Sequence, residues 1–161
     1  ATGSFDQTAR IWDIRQALAL QVLKGHTGEV FAISFSLDGT RLATCSTDKT
    51  ARVWNTATGK NICVCSGHTE EVSKVMFAPQ GNKILTASDD FTCRLWNAES
   101  GDCLEVLEGH TDYVLSCAFN YSGGRIITAS KDNTVRQWKA KTLYHQQVFT
   151  MAKAKHISFC G

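Results

Sequence analysis

The sequence predicts an all-β protein built from copies of one four-stranded unit. A Gly-His pair and a tryptophan each recur at intervals of 42 residues. A fixed period of this size indicates that one supersecondary unit has been repeated. No helical period persists through a copy, and the apolar residues fall in short runs typical of strands. The recurring residues are Gly25-His26, Gly67-His68 and Gly109-His110, with Trp12, Trp54, Trp96 and Trp138.

The copy over residues 25–66 shows how one unit is expected to fold. Short apolar or alternating runs predict four strands, and turn-forming residues separate them. Gly39 marks the first turn, and Asp48 lies in the second. The predicted strands are Val30 to Ser36, Arg41 to Ser46, Thr50 to Asn55 and Asn61 to Ser66, with the other turns at 37–40 and 56–59. Each copy is therefore predicted to be a four-stranded meander.

The period divides the chain into three full copies with partial units at both ends. The full copies cover residues 25–66, 67–108 and 109–150. Residues 1–24 are the last part of another copy, and residues 151–161 supply a further strand, Lys155 to Cys160, or a tail. Because the chain opens inside a unit, we expect it to be part of a longer array. A closed ring of four units and two chains joined as half-rings are the alternatives, since each would hide exposed strand edges.

Four residue types keep the same spacing in three copies and predict a buried hydrogen-bond network. The aspartate would accept a bond from an imidazole N–H, the other ring nitrogen would meet the threonine hydroxyl, and the indole N–H would complete the chain. A hydrolase triad is the competing interpretation, but catalysis needs one site and this set occurs three times. We therefore predict structural tetrads and no catalytic residues. The tetrads are His26-Thr44-Asp48-Trp54, His68-Thr86-Asp90-Trp96 and His110-Thr128-Asp132-Trp138.

Composition limits the remaining functions. The 161 residues are 43% hydrophobic and carry a net charge of +2 without a block of like charge, so neither nucleic acid nor an anionic membrane is indicated as a partner. Seven cysteines, an odd number at strand positions, favour buried thiols in a reducing compartment, and we expect a cytoplasmic protein. Cys63 and Cys65 share a strand face, but no second pair completes a metal site. No cofactor is expected.

These motifs resemble the WD-repeat family, whose copies form the blades of a β-propeller. The match lies in Gly-His, then Ser-x-Asp-x-Thr, then a tryptophan followed by aspartate, asparagine or lysine, and it extends to about Phe149. Trp12-Asp13 has the usual last pair, and the later copies vary at its second position. The resemblance implies a WD-repeat β-propeller with three complete four-stranded blades and partial blades at both ends. It also implies a non-enzymatic scaffold for protein interactions.

A narrower resemblance concerns one class within this family. The segments at 77–82, 107–112, 117–121 and 130–134 are similar to the closing repeats of dynein assembly factors with WD repeats, which link outer dynein arms to intraflagellar transport. This resemblance implies partners among intraflagellar-transport subunits and outer dynein arm components, and a location in the cytoplasm and the cilium or flagellum. The alternative is a substrate receptor or signalling scaffold in a ubiquitin-ligase or G-protein-like complex.

The family resemblance also implies a partner-binding face at one end of the propeller. Its positions lie three and five residues after each histidine and one residue before each tetrad aspartate. An exposed aromatic there is a candidate anchor, since aromatics dominate interface hot spots; alternatively, these side chains only cover neighbouring blades. The acidic members would favour a basic partner. The nine residues are Glu29, Phe31, Thr47, Glu71, Ser73, Asp89, Tyr113, Leu115 and Lys131.

Overall fold

A computed structural model describes residues 1–140 and the backbone of residues 147–150. Within these ranges the chain forms β-strands and turns, and it contains no helix that is long and apolar enough to cross a membrane. In chain order the strands are β1 (Thr2–Gly3), β2 (Thr8–Asp13), β3 (Leu18–Lys24), β4 (Val30–Phe35), β5 (Arg41–Ser46), β6 (Thr50–Asn55), β7 (Asn61–Ser66), β8 (Val72–Phe77), β9 (Lys83–Ser88), β10 (Cys93–Asn97), β11 (Cys103–Leu107), β12 (Val114–Phe119), β13 (Arg125–Ser130), β14 (Thr134–Lys139) and β15 (Gln147–Thr150).

The strands form four antiparallel sheets in which neighbours along the chain are also neighbours in space. The first sheet contains β1 to β3, the second β4 to β7, the third β8 to β11 and the fourth β12 to β15. The predicted all-β fold, with three complete four-stranded sheets and a partial one before them, is confirmed. The predicted strand from Lys155 to Cys160, with the rest of 151–161, lies outside the described residues.

Strand boundaries in the second sheet differ from the predicted ones at one residue. The strand predicted to end at Ser36 ends at Phe35. Ser36 belongs to the turn because its hydroxyl donates to the Asp38 carboxylate at 2.6 Å. The backbone N–H of Ser36 donates to the carbonyl of Arg41 at 2.9 Å and closes the hairpin. A serine side chain that bonds within its own turn commonly competes with strand structure in this way.

The first two turns of each complete sheet hold a residue in the left-handed conformation. The hairpins between the first two strands use Gly39, Gly81 and Gly123, with φ of 70°, 74° and 68°. Gly39 is the glycine at which the sequence predicts this turn, Gly81 and Gly123 are in phase with it, and only glycine adopts this conformation without steric cost. The turns that follow the second strand use non-glycine residues of similar φ, namely Lys49, Phe91 and Asn133, and the first sheet has Gln7 at the in-phase position between β1 and β2.

The hydrophobic core lies between neighbouring sheets. The first strands of successive complete sheets contact each other, β4 with β8 and β8 with β12. Strand alternation sends Val53 toward the third sheet and its neighbour Trp54 toward the first. Trp54 and Trp96 are 2% and 1% exposed, whereas Trp12 in the first sheet is 36% exposed. Burial of each tryptophan therefore depends on the sheet that precedes it.

The described cysteines are free thiols, and five of the six are buried. Cys63 on β7 donates a weak hydrogen bond from Sγ to the carbonyl oxygen of Ala98 in the next sheet, at 3.5 Å. Among the described residues no three His, Cys, Asp or Glu side chains converge as a metal site. Cysteine therefore fills space between the sheets, where a small apolar side chain fits.

Candidate functional site

Each complete sheet carries one tetrad, and the second sheet shows its geometry. His26 lies in the loop before β4, Thr44 on β5, Asp48 in the turn after β5 and Trp54 on β6. The Nδ1 atom of His26 is 2.8 Å from Oδ2 of Asp48, and its Nε2 atom is 2.7 Å from Oγ1 of Thr44. The indole Nε1 of Trp54 donates to the same threonine oxygen at 2.9 Å. The tetrad thus joins a loop, a turn and two strands.

The third and fourth sheets repeat this network closely. In the third sheet, the histidine–aspartate, histidine–threonine and tryptophan–threonine distances are 2.7, 2.7 and 2.8 Å. In the fourth sheet they are 2.8, 2.7 and 2.9 Å. The first sheet contains Thr2, Asp6 and Trp12 of the pattern, with Trp12 donating to Thr2 at 2.9 Å. In this sheet the guanidinium of Arg10 is the partner of the aspartate, and its Nη2 donates to Oδ2 of Asp6 at 3.2 Å.

Hydrogen-bond donors and acceptors determine the protonation of the tetrad histidine. Because the indole N–H of Trp54 occupies an acceptor position of the Thr44 oxygen, the hydroxyl proton is available to Nε2 of His26. Nδ1 then carries the ring proton and donates it to Asp48. Burial lowers the pKa of His26 and outweighs the bond to Asp48, which acts in the opposite direction. The ring is therefore neutral at neutral pH.

The tetrad aspartate also holds the turn that carries it. Oδ1 of Asp48 accepts bonds from the N–H and hydroxyl of Thr50 at 3.0 and 2.7 Å, and Oδ2 accepts from the N–H of Thr27 at 3.0 Å. Burial alone would raise the pKa of Asp48, but these bonds and His26 together lower it. Every donor and acceptor in this network is engaged, so the arrangement is suited to fixing two chain segments rather than to activating a nucleophile.

The loops and turns that carry the tetrad histidines and aspartates lie at one end of the sheets, called here the tetrad end. The nine predicted face residues all lie at this end, but their surroundings differ. Thr47 and Glu29 bond to each other: Thr47 donates its N–H to the Glu29 carbonyl at 3.1 Å, and its hydroxyl oxygen accepts the Glu29 N–H at 2.9 Å. Ser73 is directed at the next sheet, because its hydroxyl donates to the Val114 carbonyl at 2.8 Å. Five are exposed, namely Glu29, Phe31, Glu71, Tyr113 and Lys131; four are half-buried, namely Thr47, Ser73, Asp89 and Leu115.

Two aromatic pairs stand on this end, and sequence reasoning identified one partner in each. Phe31 contacts Phe5, with ring centroids 6.3 Å apart, and Tyr113 contacts Phe91 at 5.8 Å. The Nζ atom of Lys131 lies 5.0 Å from the centre of the Tyr113 ring. Phe5 could have been found by the period, because it is in phase with Thr47 at the position before the aspartate. Phe91 lies one residue after its aspartate, at a position the motif does not include.

Carboxylates surround Asp89 beside the second aromatic pair. Burial raises the pKa of Asp89, and the negative charges of Glu71, Glu70 and Asp112 raise it further. The N–H of Asp89 donates to the carbonyl of Glu71 at 3.0 Å, which holds the two residues together. Glu29, which the sequence grouped with Glu71 and Asp89, lies in the loop before β4, one sheet away. The carboxylates that act on Asp89 from outside its own turn therefore come from the loops before β8 and β12, and Lys49 pairs with one of them, with its Nζ 3.5 Å from Oε2 of Glu70.

The three repeats that carry the tetrads match a known protein family. The WD domain, G-beta repeat family (WD40) matches residues 18–55, 59–97 and 101–139, which together exceed half of the chain. The chain belongs to the WD40 family. Proteins with WD40 repeats are generally non-enzymatic scaffolds, and the repeats indicate that this chain is a scaffold for protein interactions.

Similar WD40 proteins match over about one repeat. Ribosome assembly protein 4 of Chaetomium thermophilum is 55% identical over 42 residues, which is 26% of this chain and 8% of that protein. Human Coronin-7 is 41% identical over 44 residues, 27% of this chain and 5% of its own length. Probable cytosolic iron-sulfur protein assembly protein 1 of Candida glabrata is 43% identical over 56 residues, 29% of this chain and 17% of its length. The chain thus spans a small part of these relatives.

The WD40 repeat and the sheet are offset by one strand. The match at 18–55 begins with β3, which belongs to the first sheet, and continues through β4, β5 and β6 of the second. The next two matches begin in the same way, just before β7 and just before β11. Each sequence repeat therefore supplies the outer strand of one WD40 sheet and three strands of the next, so the chain itself links neighbouring sheets.

Proposed function

We propose that the tetrad end of the sheets binds a basic segment of a partner protein. The observation that carries this proposal is an acidic-aromatic patch made of Glu70, Glu71, Asp89, Phe91, Asp112 and Tyr113. Phe91 and Tyr113 are each 40% exposed and lie beside the carboxylates. Large aromatic side chains left in water at a surface are typical of interaction sites.

The chemistry of the patch favours a cation. The raised pKa of Asp89 results from burial and from like charges on Glu71, Glu70 and Asp112, so a positive charge placed there would relieve repulsion. Aromatic faces attract ammonium and guanidinium groups, and Lys131 already occupies one face of Tyr113. A lysine or arginine of the partner would meet Phe91 on one side and the carboxylates on the other.

The backbone at Phe91 supports a functional role for its side chain. Its φ of 70° is unfavourable for a bulky residue, whereas the in-phase position in the fourth sheet is Asn133, a residue type that tolerates this conformation. Strain of this kind costs about 1 kcal/mol or more and is found disproportionately at functional sites. A phenylalanine in place of asparagine therefore provides exposed aromatic surface at the expense of stability.

Charge reversal tests the proposed patch. The double variant Glu71→Lys, Asp89→Lys is expected to lose at least about tenfold in affinity for a basic partner, because attraction becomes repulsion. The matched control is Glu99→Lys, Asp102→Lys, which makes the same change of charge in the turn between β10 and β11, at the opposite end. Equal retention of partners by the two variants in a pull-down would refute the patch. Phe91→Asn separates binding from folding, because asparagine keeps the turn while removing the ring.

We propose further that the partners belong to outer dynein arm assembly and intraflagellar transport, in the cytoplasm and the cilium or flagellum. The support is the similarity of segments 107–112 and 130–134 to dynein assembly factors with WD repeats; these segments contribute Asp112 and Lys131 to the tetrad end. Affinity purification from ciliated cells is expected to recover transport and dynein subunits. Recovery of ubiquitin-ligase or G-protein subunits in their place would refute this assignment and favour the alternative scaffold.

A further inference from the structure

A cavity of about 370 Å³ lies between the third and fourth sheets, at the end opposite the tetrads. Its apolar wall includes Leu95 and Phe119, and its rim is formed by the turns that carry Gln80 and Gly123. Lys83 is the charged residue among those lining it. The cavity is at the small end of the range for ligand sites and combines an apolar body with a few polar groups, as such sites usually do.

The corresponding space between the second and third sheets is filled by an arginine. Arg41 is in phase with Lys83, 42 residues earlier. Its guanidinium lies 5.7 Å from the ring centre of Phe77, and its Nη2 donates to the carbonyl of Gly81 at 2.6 Å. Phe77 and Gly81 are the in-phase counterparts of Phe119 and Gly123. The Arg41 guanidinium therefore occupies, between the second and third sheets, the position that is open between the third and fourth sheets.

At the position equivalent to Arg41 the third sheet carries Lys83, and Gln80 rather than this side chain bridges the two sheets. Gln80 bridges the turns there, since its Nε2 donates to the carbonyl of Ser122 at 2.7 Å. The side-chain ammonium of Lys83 makes no hydrogen bond or ion pair of standard length with any described residue. Glu105 is the nearby acid: burial raises the pKa of Glu105, and the charge of Lys83 partly opposes that rise. Glu105 does not line the cavity.

We propose that this cavity binds a carboxylate attached to a small aromatic or apolar body. The ring of such a ligand would lie on Phe119, as the guanidinium of Arg41 lies on Phe77. Its carboxylate would pair with the Lys83 ammonium, which has no hydrogen-bond or ion-pair partner at standard distance within the described part of the chain. The carboxylate can come from a free metabolite or from the C-terminus of a peptide. This inference is independent of the tetrad-end function, which involves the opposite end of the sheets.

Two probes that differ only in charge test the proposal. N-acetylphenylalanine and its amide are titrated into the full chain, and binding is followed by calorimetry and ligand-observed NMR. The acid is expected to bind about tenfold more tightly than the amide, the usual value of a charge-assisted hydrogen bond. The peptide Gly-Gly-Gly-Phe with a free C-terminus then shows whether a chain end also enters. Equal binding of acid and amide, or binding of neither at millimolar concentration, would overturn the proposal.

Variants at Lys83 locate the binding. Lys83→Arg is expected to fill the cavity as Arg41 fills its own space, which raises the melting temperature and abolishes binding of both probes. Lys83→Met keeps the volume and should reduce the preference for the acid to about one. Glu105→Gln should strengthen binding of the acid because a nearby negative charge is removed. Unchanged affinity of the acid for Lys83→Arg would place the probe elsewhere and refute the site. None of these variants should alter partner binding at the tetrad end.

Discussion

Replacing Thr44 by valine tests the energetic role of the tetrad. Thr44 is fully buried and receives the indole N–H of Trp54 at 2.9 Å, while its hydroxyl serves Nε2 of His26 at 2.7 Å. Valine has nearly the same shape and the same strand propensity, so the change removes hydrogen bonds and little packing. It leaves one buried donor and one buried acceptor without partners, each costing about 1–3 kcal/mol. We expect the free energy of unfolding to fall by about 3 kcal/mol.

Thr2→Val provides a matched control in the first sheet. Thr2 accepts the same bond from a tryptophan, at 2.9 Å from Nε1 of Trp12, but both residues are exposed and water can replace the lost partner. We expect this change to cost less than about 0.5 kcal/mol. Urea unfolding measures the free energy of unfolding of both variants. In thermal unfolding, the melting temperature of Thr44→Val should fall by about 6–12 °C. Equal effects of the two substitutions would refute the conclusion that the buried tetrad stabilises its sheet.

Three further predictions concern acid, turns and thiols. Burial lowers the pKa of His26 and His110, so on acidification the unfolded chain takes up protons at a higher pH than the folded chain does. The stability that these neutral histidines contribute should be complete above about pH 6.5 and should fall as the pH decreases. A urea midpoint that stays constant or rises on acidification would contradict this. Gly39→Ala should lower the free energy of unfolding by about 1 kcal/mol, because φ is positive there but the new Cβ would meet no non-neighbouring atom within 4 Å. In Gly101→Ala the new Cβ would lie 2.6 Å from the carbonyl oxygen of Val64, so this change should cost at least about 1 kcal/mol more. Equal unfolding free energies of the two variants would contradict this. In a Cys160→Ser background one thiol, Cys103, should react rapidly with a thiol reagent, and a second fast thiol would contradict the burial of the others.

The period predicted most of the fold because it marks residues that every copy needs. Turn glycines such as Gly39 and the tetrad members are required by backbone conformation and by satisfied hydrogen bonds, so they recur in phase. The strands between them follow from short apolar runs with period two. A boundary such as Ser36 could not be fixed to one residue, because it depends on whether the hydroxyl bonds to its own turn.

The candidate sites were harder to predict because their residues depend on neighbouring sheets. Ser73 was assigned to the partner face, but its hydroxyl donates to the Val114 carbonyl across a sheet boundary, a contact that strand periodicity does not encode. Phe91 was missed because its place beside the Tyr113 ring, 5.8 Å away, follows from a left-handed turn that the repeat motif does not include. The cavity beside Lys83 was likewise unpredictable, since it depends on which residue bridges two sheets.

Residues that break the period are therefore the best guide to what distinguishes this chain from other arrays of the same repeat. Phe91 is an aromatic in a turn position held by Gln7, Lys49 and Asn133 in the other sheets, and it pays in backbone strain without any gain that the fold requires. Lys83 is in phase with Arg41, which fills the space between the second and third sheets, and the space that Lys83 lines between the third and fourth sheets is open. An exposed aromatic held in a strained turn and a lysine beside an open space are explained most simply by contacts made with another molecule.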